Sequence, residues 1–397
     1  MVSRRHWQFG ALAAAAAFFI AGCGGGSGLT GANEGPVAKR VIMFGDSLSD
    51  LGTYTPATQI PLGQAAGVPP FFGGKFTNNM HTGYTAASNS SISNTWVEWV
   101  ASRVGVPITP AEVGFITTRV PCPAAASLPG SCTGYAQGGS RVTDPNGIGK
   151  SSGALTIPMV AQIASHNTRT VTGFRTGFDA DDIVFVWGGN NDAFAQFGAA
   201  GTIGPAAAVT NMQTAATELA NLVKNEILAK GATRVAVLNL PDAAKTPGFA
   251  GSPYTDGQRA LLTQLSAEFN TTLTAALAGT AARVVDARAF NADVYANPSK
   301  FGITNVTTPV CDAAKVSTLT GGRVTDGSSL FCNTASATAL SSLPAPLNTI
   351  VNTQRAGTST STYAFADGVH PTTGAHKVLS DFVIEQIKGF GWIPPNL

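Results

Sequence analysis

Three observations predict a three-layer α/β/α fold with a mainly parallel central sheet. Four short runs are apolar along their whole length instead of alternating, as strands covered on both faces are. Ala-rich stretches of helical length separate the later runs, which suits helices packed over a sheet. Each run also ends on Gly or on small polar residues, where such sheets gather reactive groups. No repeat and no break in composition divides residues 39–397, which read as one domain.

Arg40–Phe44 is the first strand, stopped by Gly45. Residues 53–94 lack periodicity, are rich in Gly, Pro and Asn, and read as a binding loop or lid. Thr95–Val104 carries Trp96, Val97, Trp99, Val100 and Val104, an amphipathic helical pattern. Pro107–Thr133 reads as an irregular insertion, and Ile157–Asn167 as a helix. Asp182–Trp187 is the second strand, ending on Gly188 and Gly189. Pro205–Ala229 is a long helix with Gly231 as its C-cap. Arg234–Leu240 is the third strand and Tyr254–Ala278 the next long helix, followed by Gly279. Arg283–Asp286 is the fourth strand, Pro298–Pro346 a second irregular insertion, and Gly374–Lys388 the last helix.

Charged residues are only 12% of the chain and the net charge is +2. No basic run follows residue 40, so a nucleic-acid partner is not expected. At the N-terminus, Arg4 and Arg5 precede an apolar stretch, Ala11–Ala21, which is shorter than the roughly 20 residues a spanning helix needs. That is the layout of a signal peptide over residues 1–22. Four cysteines lie beyond it and beyond Cys23: Cys122, Cys132, Cys311 and Cys332. An even number in an exported chain points to disulfides. Of the possible pairings, Cys122–Cys132 and Cys311–Cys332 each close a short loop rich in Pro, Gly or Ser. No CxxC pair exists and no His lies near these cysteines, so zinc is not expected.

The strand ends select Gly45-Asp46-Ser47, Gly189-Asn190-Asn191-Asp192, Leu240-Pro241-Asp242 and Asp286. Ser47 lies just past a buried strand. If a helix starts there, free N–H groups and the positive helix end favour negative charge nearby. Asp46 and Ser47 are equally good N-caps, and this segment alone leaves cap and nucleophile open. Among the histidines, His370 alone has a carboxylate, Asp367, three residues before it in a Gly-containing turn. That spacing lets Asp367 reach one ring nitrogen while the other faces Ser47.

Gly45-Asp46-Ser47-Leu48 resembles the signature of the GDSL, or SGNH, hydrolase family. Three further blocks resemble the family's in order: Tyr135-Ala136-Gln137-Gly138-Gly139-Ser140, Gly189-Asn190-Asn191-Asp192 and Asp367-Gly368-Val369-His370-Pro371. The resemblance runs from about residue 40 to 390. It implies an SGNH, flavodoxin-like fold and a serine esterase or lipase with Ser47 as nucleophile, His370 as base and Asp367 as its orienter. The oxyanion donors it implies are the Ser47 backbone N–H, Gly139 and Asn191, with Gly138 the alternative to Gly139. Gly134 departs from the pattern, which usually has an Asn there that orders the loop. Asn297 to Cys311 resembles the extracellular esterase branch. Some members of that branch carry a C-terminal membrane barrel, and the chain's end shortly after His370 leads us to expect none.

The resemblance implies no cofactor and no metal, and a small-molecule or lipid ester as substrate; a monomer is expected. Lipid acyl transfer, polysaccharide or polyester esterase activity, and a non-catalytic surface-binding lipoprotein are the alternatives. Phe71, Phe72, Phe76 and Trp187 are candidates for an acyl pocket, or for plain core packing. Asp50 and Asp192 read as structural hydrogen-bonders. Gly149-Lys150-Ser151-Ser152-Gly153 matches a nucleophile elbow in letters only, because no apolar strand precedes it. Asp144 stands where a phosphate loop needs Gly.

Ile20-Ala21-Gly22-Cys23 resembles a bacterial lipobox, which implies cleavage before Cys23 and a lipid on its sulfur; an ordinary signal peptide is the alternative. Residues 23–38, Gly-rich at their start, then form a flexible tether. Gly24 is not the Asp that retains lipoproteins at the inner membrane, so the expected location is the outer membrane, or secretion if the Cys is incidental. Cys23→Ser should release the protein from the membrane fraction with its activity unchanged. Identical partitioning of mutant and parent would refute the lipid anchor.

Overall fold

The computed structural model describes residues 37–55, 73–79, 94–122, 131–169, 176–333 and 352–397. The leader, Cys23, most of the tether, Phe71, Phe72 and most of the 53–94 segment lie outside these. In chain order the strands are β1 (Val41–Gly45), β2 (Glu112–Phe115), β3 (Thr118–Pro121), β4 (Ile183–Trp187), β5 (Arg234–Leu238) and β6 (Arg283–Val285). The helices are α1 (Trp96–Arg103), α2 (Met159–Thr168), α3 (Asn190–Ile203), α4 (Pro205–Leu222), α5 (Asp256–Leu277), α6 (Ala287–Ala296), α7 (Ala313–Leu319) and α8 (Thr373–Gly389).

β1, β4, β5 and β6 form one parallel sheet in that order. Every residue of β1 and β4 is buried, which is why their sequences do not alternate. The alternation is instead between two cores. Ile42, Phe44, Val184, Val186, Val235 and Val237 pack under α2 to α5, with Met159, Met212 and Phe269. Val41, Met43, Ile183, Phe185, Ala236 and Leu238 pack under α1 and α8, with Trp96, Val383 and Ile387. A sheet between two helical layers is the predicted α/β/α arrangement.

Several expectations are corrected. The 107–133 insertion contains the antiparallel hairpin β2–β3, and the 298–346 segment contains α7. α3 and α6 were not expected, and β5 stops at Leu238. The long helix from Pro205 is α-helical to Leu222 and then widens into a π turn over Val223–Ile227. It closes at Gly231, as expected, in the left-handed conformation. Ser47 starts a three-residue 3-10 turn, Ser47–Ser49, and not the α-helix that the sequence leaves as a condition. Both cysteine pairs are joined as expected, Cys122–Cys132 and Cys311–Cys332.

Candidate active site

β1 has β4 on one edge only. On the other, residues 133–137 run alongside it. Met43 N–H donates to Thr133 O (3.0 Å), Tyr135 N–H to Met43 O (2.7 Å) and Gln137 N–H to Gly45 O (3.2 Å). These backbone bonds order the loop that Gly134 leaves without the usual Asn. They also bring Gly138 and Gly139 beside Ser47. The Gln162 side chain closes the end of the strand: its oxygen accepts from Gly45 N–H and its amide donates to Gly45 O, both at 2.9 Å.

The N-cap role falls to the neighbour of Ser47. Asp46 is the cap, its Oδ1 accepting from Leu48 N–H (3.1 Å), while Oδ2 accepts from the Asn190 amide (3.1 Å). Ser47 is left free to face another partner, and its Oγ lies 2.9 Å from Nε2 of His370. His370 sits on the turn leading into α8. Its Nδ1 lies 2.9 and 2.8 Å from the two carboxylate oxygens of Asp367. Asp367 Oδ1 also accepts the backbone N–H groups of Val369 and His370. Its Oδ2 accepts the Ser329 N–H at 2.7 Å. Ser329 lies between Cys311 and Cys332, and Cys311 N–H donates to Ala366 O, so the second disulfide staples this loop beside Asp367.

Burial alone would raise the Asp367 pKa, but the facing His370 and the bonds it accepts outweigh this and hold it well below the usual carboxylate range. Burial alone would lower that of His370; Asp367, with smaller help from Asp46 and Asp326, more than offsets this and holds it above the ordinary value. Such a ring can accept a proton from Ser47 and remain stable as the imidazolium.

The donors around Ser47 separate in the same way. Gly138 N–H is taken by Asp50 Oδ2 (2.8 Å). A Cβ at Gly138 would meet the Phe76 ring at 2.1 Å, and Phe76 packs against His370 at 4.9 Å between centroids. Gly139, at φ +80°, has an N–H with no acceptor among the described residues, as does Ser47. A Cβ there would meet Ile148 O at 2.0 Å. Asn191 heads α3 and one of its two amide protons goes to Ser140 O (2.9 Å), the other being uncommitted among the described residues. Asn190 spends an amide proton on Asp46 instead.

Asp50 accepts from Gly52, Thr53 and Gly138; Asp192 from Arg141 and Val142. Burial pushes both, and Asp46, up to about 6 against those bonds. These are structural roles, as read from the sequence. Lys150 and Ser151 lie in an exposed 3-10 turn between Gly149 and Gly153, not at the end of a strand, with the Lys150 ammonium on Leu155 O. A cavity of about 940 Å³ opens in front of Ser47 and His370. Phe76 and Trp187 line it, as do Phe194, Phe249, Phe290 and Phe365, which the sequence reading did not single out. No group of His, Cys, Asp and Glu that could hold a metal occurs among the described residues.

The sequence profile of the GDSL-like lipase/acylhydrolase family matches residues 41–383. No curated protein matches the chain. Among solved structures the chain is similar to an extracellular lipase from Streptomyces rimosus, at 14% identity, covering 88% of this chain and 99% of that one with a TM-score of 0.36.

Three histidines of the described residues should titrate apart. His166, buried against Tyr135 and Gly177 O, is pushed down to about 4, and His376, buried below Trp96 N–H, to about 3. In an assigned NMR titration His370 should instead protonate above the ordinary value of about 6.5. Asp367→Asn should bring His370 down by roughly one to three pH units and leave the other two in place. A parent His370 titrating at or below the ordinary value would contradict this electrostatic account.

Proposed function

The chain belongs to the GDSL-like lipase/acylhydrolase family, and from that premise we propose that it hydrolyses carboxylic esters through an acyl-enzyme on Ser47. The observation that carries the reading is the 2.9 Å contact from Ser47 Oγ to His370 Nε2, with Asp367 on the opposite ring nitrogen. Ser47 Oγ attacks the ester carbonyl carbon while Nε2 takes its proton. Asp367 keeps the other proton on Nδ1 and stabilises the imidazolium. The carbonyl oxygen, now negative, is held by the N–H groups of Ser47 and Gly139 and by the second amide proton of Asn191. Collapse expels the alcohol, which takes the proton from His370. Water then repeats the sequence, with His370 as base, to release the acid.

The lining of the cavity supports an apolar acyl group as the part of the ester it holds. Two disulfides support an exported protein, since such bonds persist in oxidising compartments. The lipobox-like Ile20–Cys23 supports a lipid anchor at the cell envelope.

An organophosphate should block hydrolysis of a short acyl aryl ester and leave a single adduct on Ser47 by peptide mass mapping; an adduct on Ser151 would refute the reading. The oxyanion donors can be told from structural amides. Asn191→Ala should lower kcat by roughly 10²–10³, the typical loss for one such donor, with KM little changed. Asn190→Ala should act through Asp46 and lower kcat far less. Greater sensitivity at Asn190, or a loss confined to melting temperature, would displace Asn191 from this role.

A further inference from the structure

Four large apolar side chains are exposed among the described residues; two of them, Ile116 and Val120, lie on the β2–β3 hairpin, and a third, Ile148, shares the cavity mouth with Ile116. Ile116, at the turn of the β2–β3 hairpin, is 58% exposed; Val120 on β3 is 47% exposed and Ile148 is 48% exposed. Ile116 and Ile148 also line the mouth of the cavity, together with Phe115.

The register explains the patch. Val113 faces Val120 and Phe115 faces Thr118, so these four share one face of the hairpin. Glu112, Gly114 and Arg119 fall on the other face. There Gly114 N–H donates to Thr53 O, Arg119 pairs with Glu112 at 2.6 Å, and Glu112 also accepts from Gln137. The hairpin's two charged side chains thus pair with each other on the face opposite Val113, Phe115 and Val120, with Arg119 itself 54% exposed. Ile116 has φ 59°, a conformation in which a β-branched residue is strained. Its N–H is fixed to Gly153 O (2.6 Å), and the Cys122–Cys132 disulfide ties the end of β3 to buried Cys132. A rigid mount therefore holds a strained, exposed Ile at the rim of an apolar cavity.

We propose that this hairpin face docks on an uncharged lipid surface, so that the ester passes from the lipid phase directly into the cavity. Ile116 and Ile148 belong both to the exposed surface and to the cavity lining, and the charges beside them are engaged, Arg119 by Glu112 and the Lys150 ammonium by Leu155 O, which suits a neutral or zwitterionic surface rather than an anionic one. The inference rests on the ester-hydrolase reading for what enters, and on the hairpin alone for the docking.

The test uses the full chain with Cys23→Ser throughout, so that an anchor contributes nothing. Binding is read by flotation with phosphatidylcholine vesicles in Ser47→Ala protein. Val120→Glu and Ile116→Asn, the latter tolerant of the left-handed backbone, should each weaken partitioning roughly tenfold. Adding phosphatidylglycerol or salt should change it little. With Ser47 intact, Val120→Glu should keep the parent rate on a dissolved short-chain ester and lose roughly tenfold on the same acyl group presented in vesicles. Partitioning unaffected by either substitution would overturn the proposal, as would binding that needs anionic lipid and vanishes in high salt. So would a concentration-dependent dimer that Val120→Glu abolishes, or equal losses on both substrates. If the parent hydrolyses neither ester, it is the ester-hydrolase reading that fails, and flotation still decides the docking.

Discussion

A parallel sheet buried on both faces must stop somewhere, and where it stops its backbone groups lose their partners far from water. This chain meets that constraint with side-chain amides. Gln162 accepts from and donates to Gly45 at the end of β1, and Asn270 does the same for Leu240 just past β5. Asp46 caps the 3-10 turn that follows β1, and Asp286 caps helix α6, which follows β6. The need to satisfy buried backbone thus concentrates oriented polar side chains at one end of the sheet. Ser47, Asn191 and the loop with Gly139 are held there by the same network that ends the strands. The proposed chemistry uses the few groups that the network leaves uncommitted.

The carboxylate of Asp367 is the second organising point. Three of its contacts come from its own turn, through Val369 N–H and the backbone and ring of His370. The fourth, Ser329 N–H, comes from a loop closed by Cys311–Cys332. Asn79 holds that loop from a further direction, its amide donating to Ser329 O and Cys332 O at 3.0 Å each. A buried charge is stable only when so surrounded, and here the surroundings are drawn from three distant parts of the chain.

The strands were legible because total burial leaves a plain mark, an unbroken apolar run bounded by Gly or small polar residues. The site residues were legible at those same boundaries, and the local Asp367–His370 spacing named its own pair. α3 was not, because its opening Asn190-Asn191-Asp192 reads as a turn and its glycines and alanines show little helical periodicity. β3 was missed since all of it is exposed, so no burial pattern could form. The choice between Gly138 and Gly139 was beyond the sequence, because it depends on where the Asp50 carboxylate lies in space. Ser329 contributes a backbone N–H, which any residue would supply, and so carries no signal in its identity.

Ser47 and His370 stand 323 positions apart along the chain, and the turn bearing His370 runs straight into the C-terminal helix α8, packed beside α1 over the sheet. A contact of such long range closes a loop of nearly the whole chain, and the entropy of that closure must be offset by the packing of α8. Until α8 docks, the hydroxyl of Ser47 lacks its imidazole partner. On the proposed chemistry, reactivity is therefore a property of the finished chain: a truncated or half-folded copy would carry Ser47 without the partner it needs.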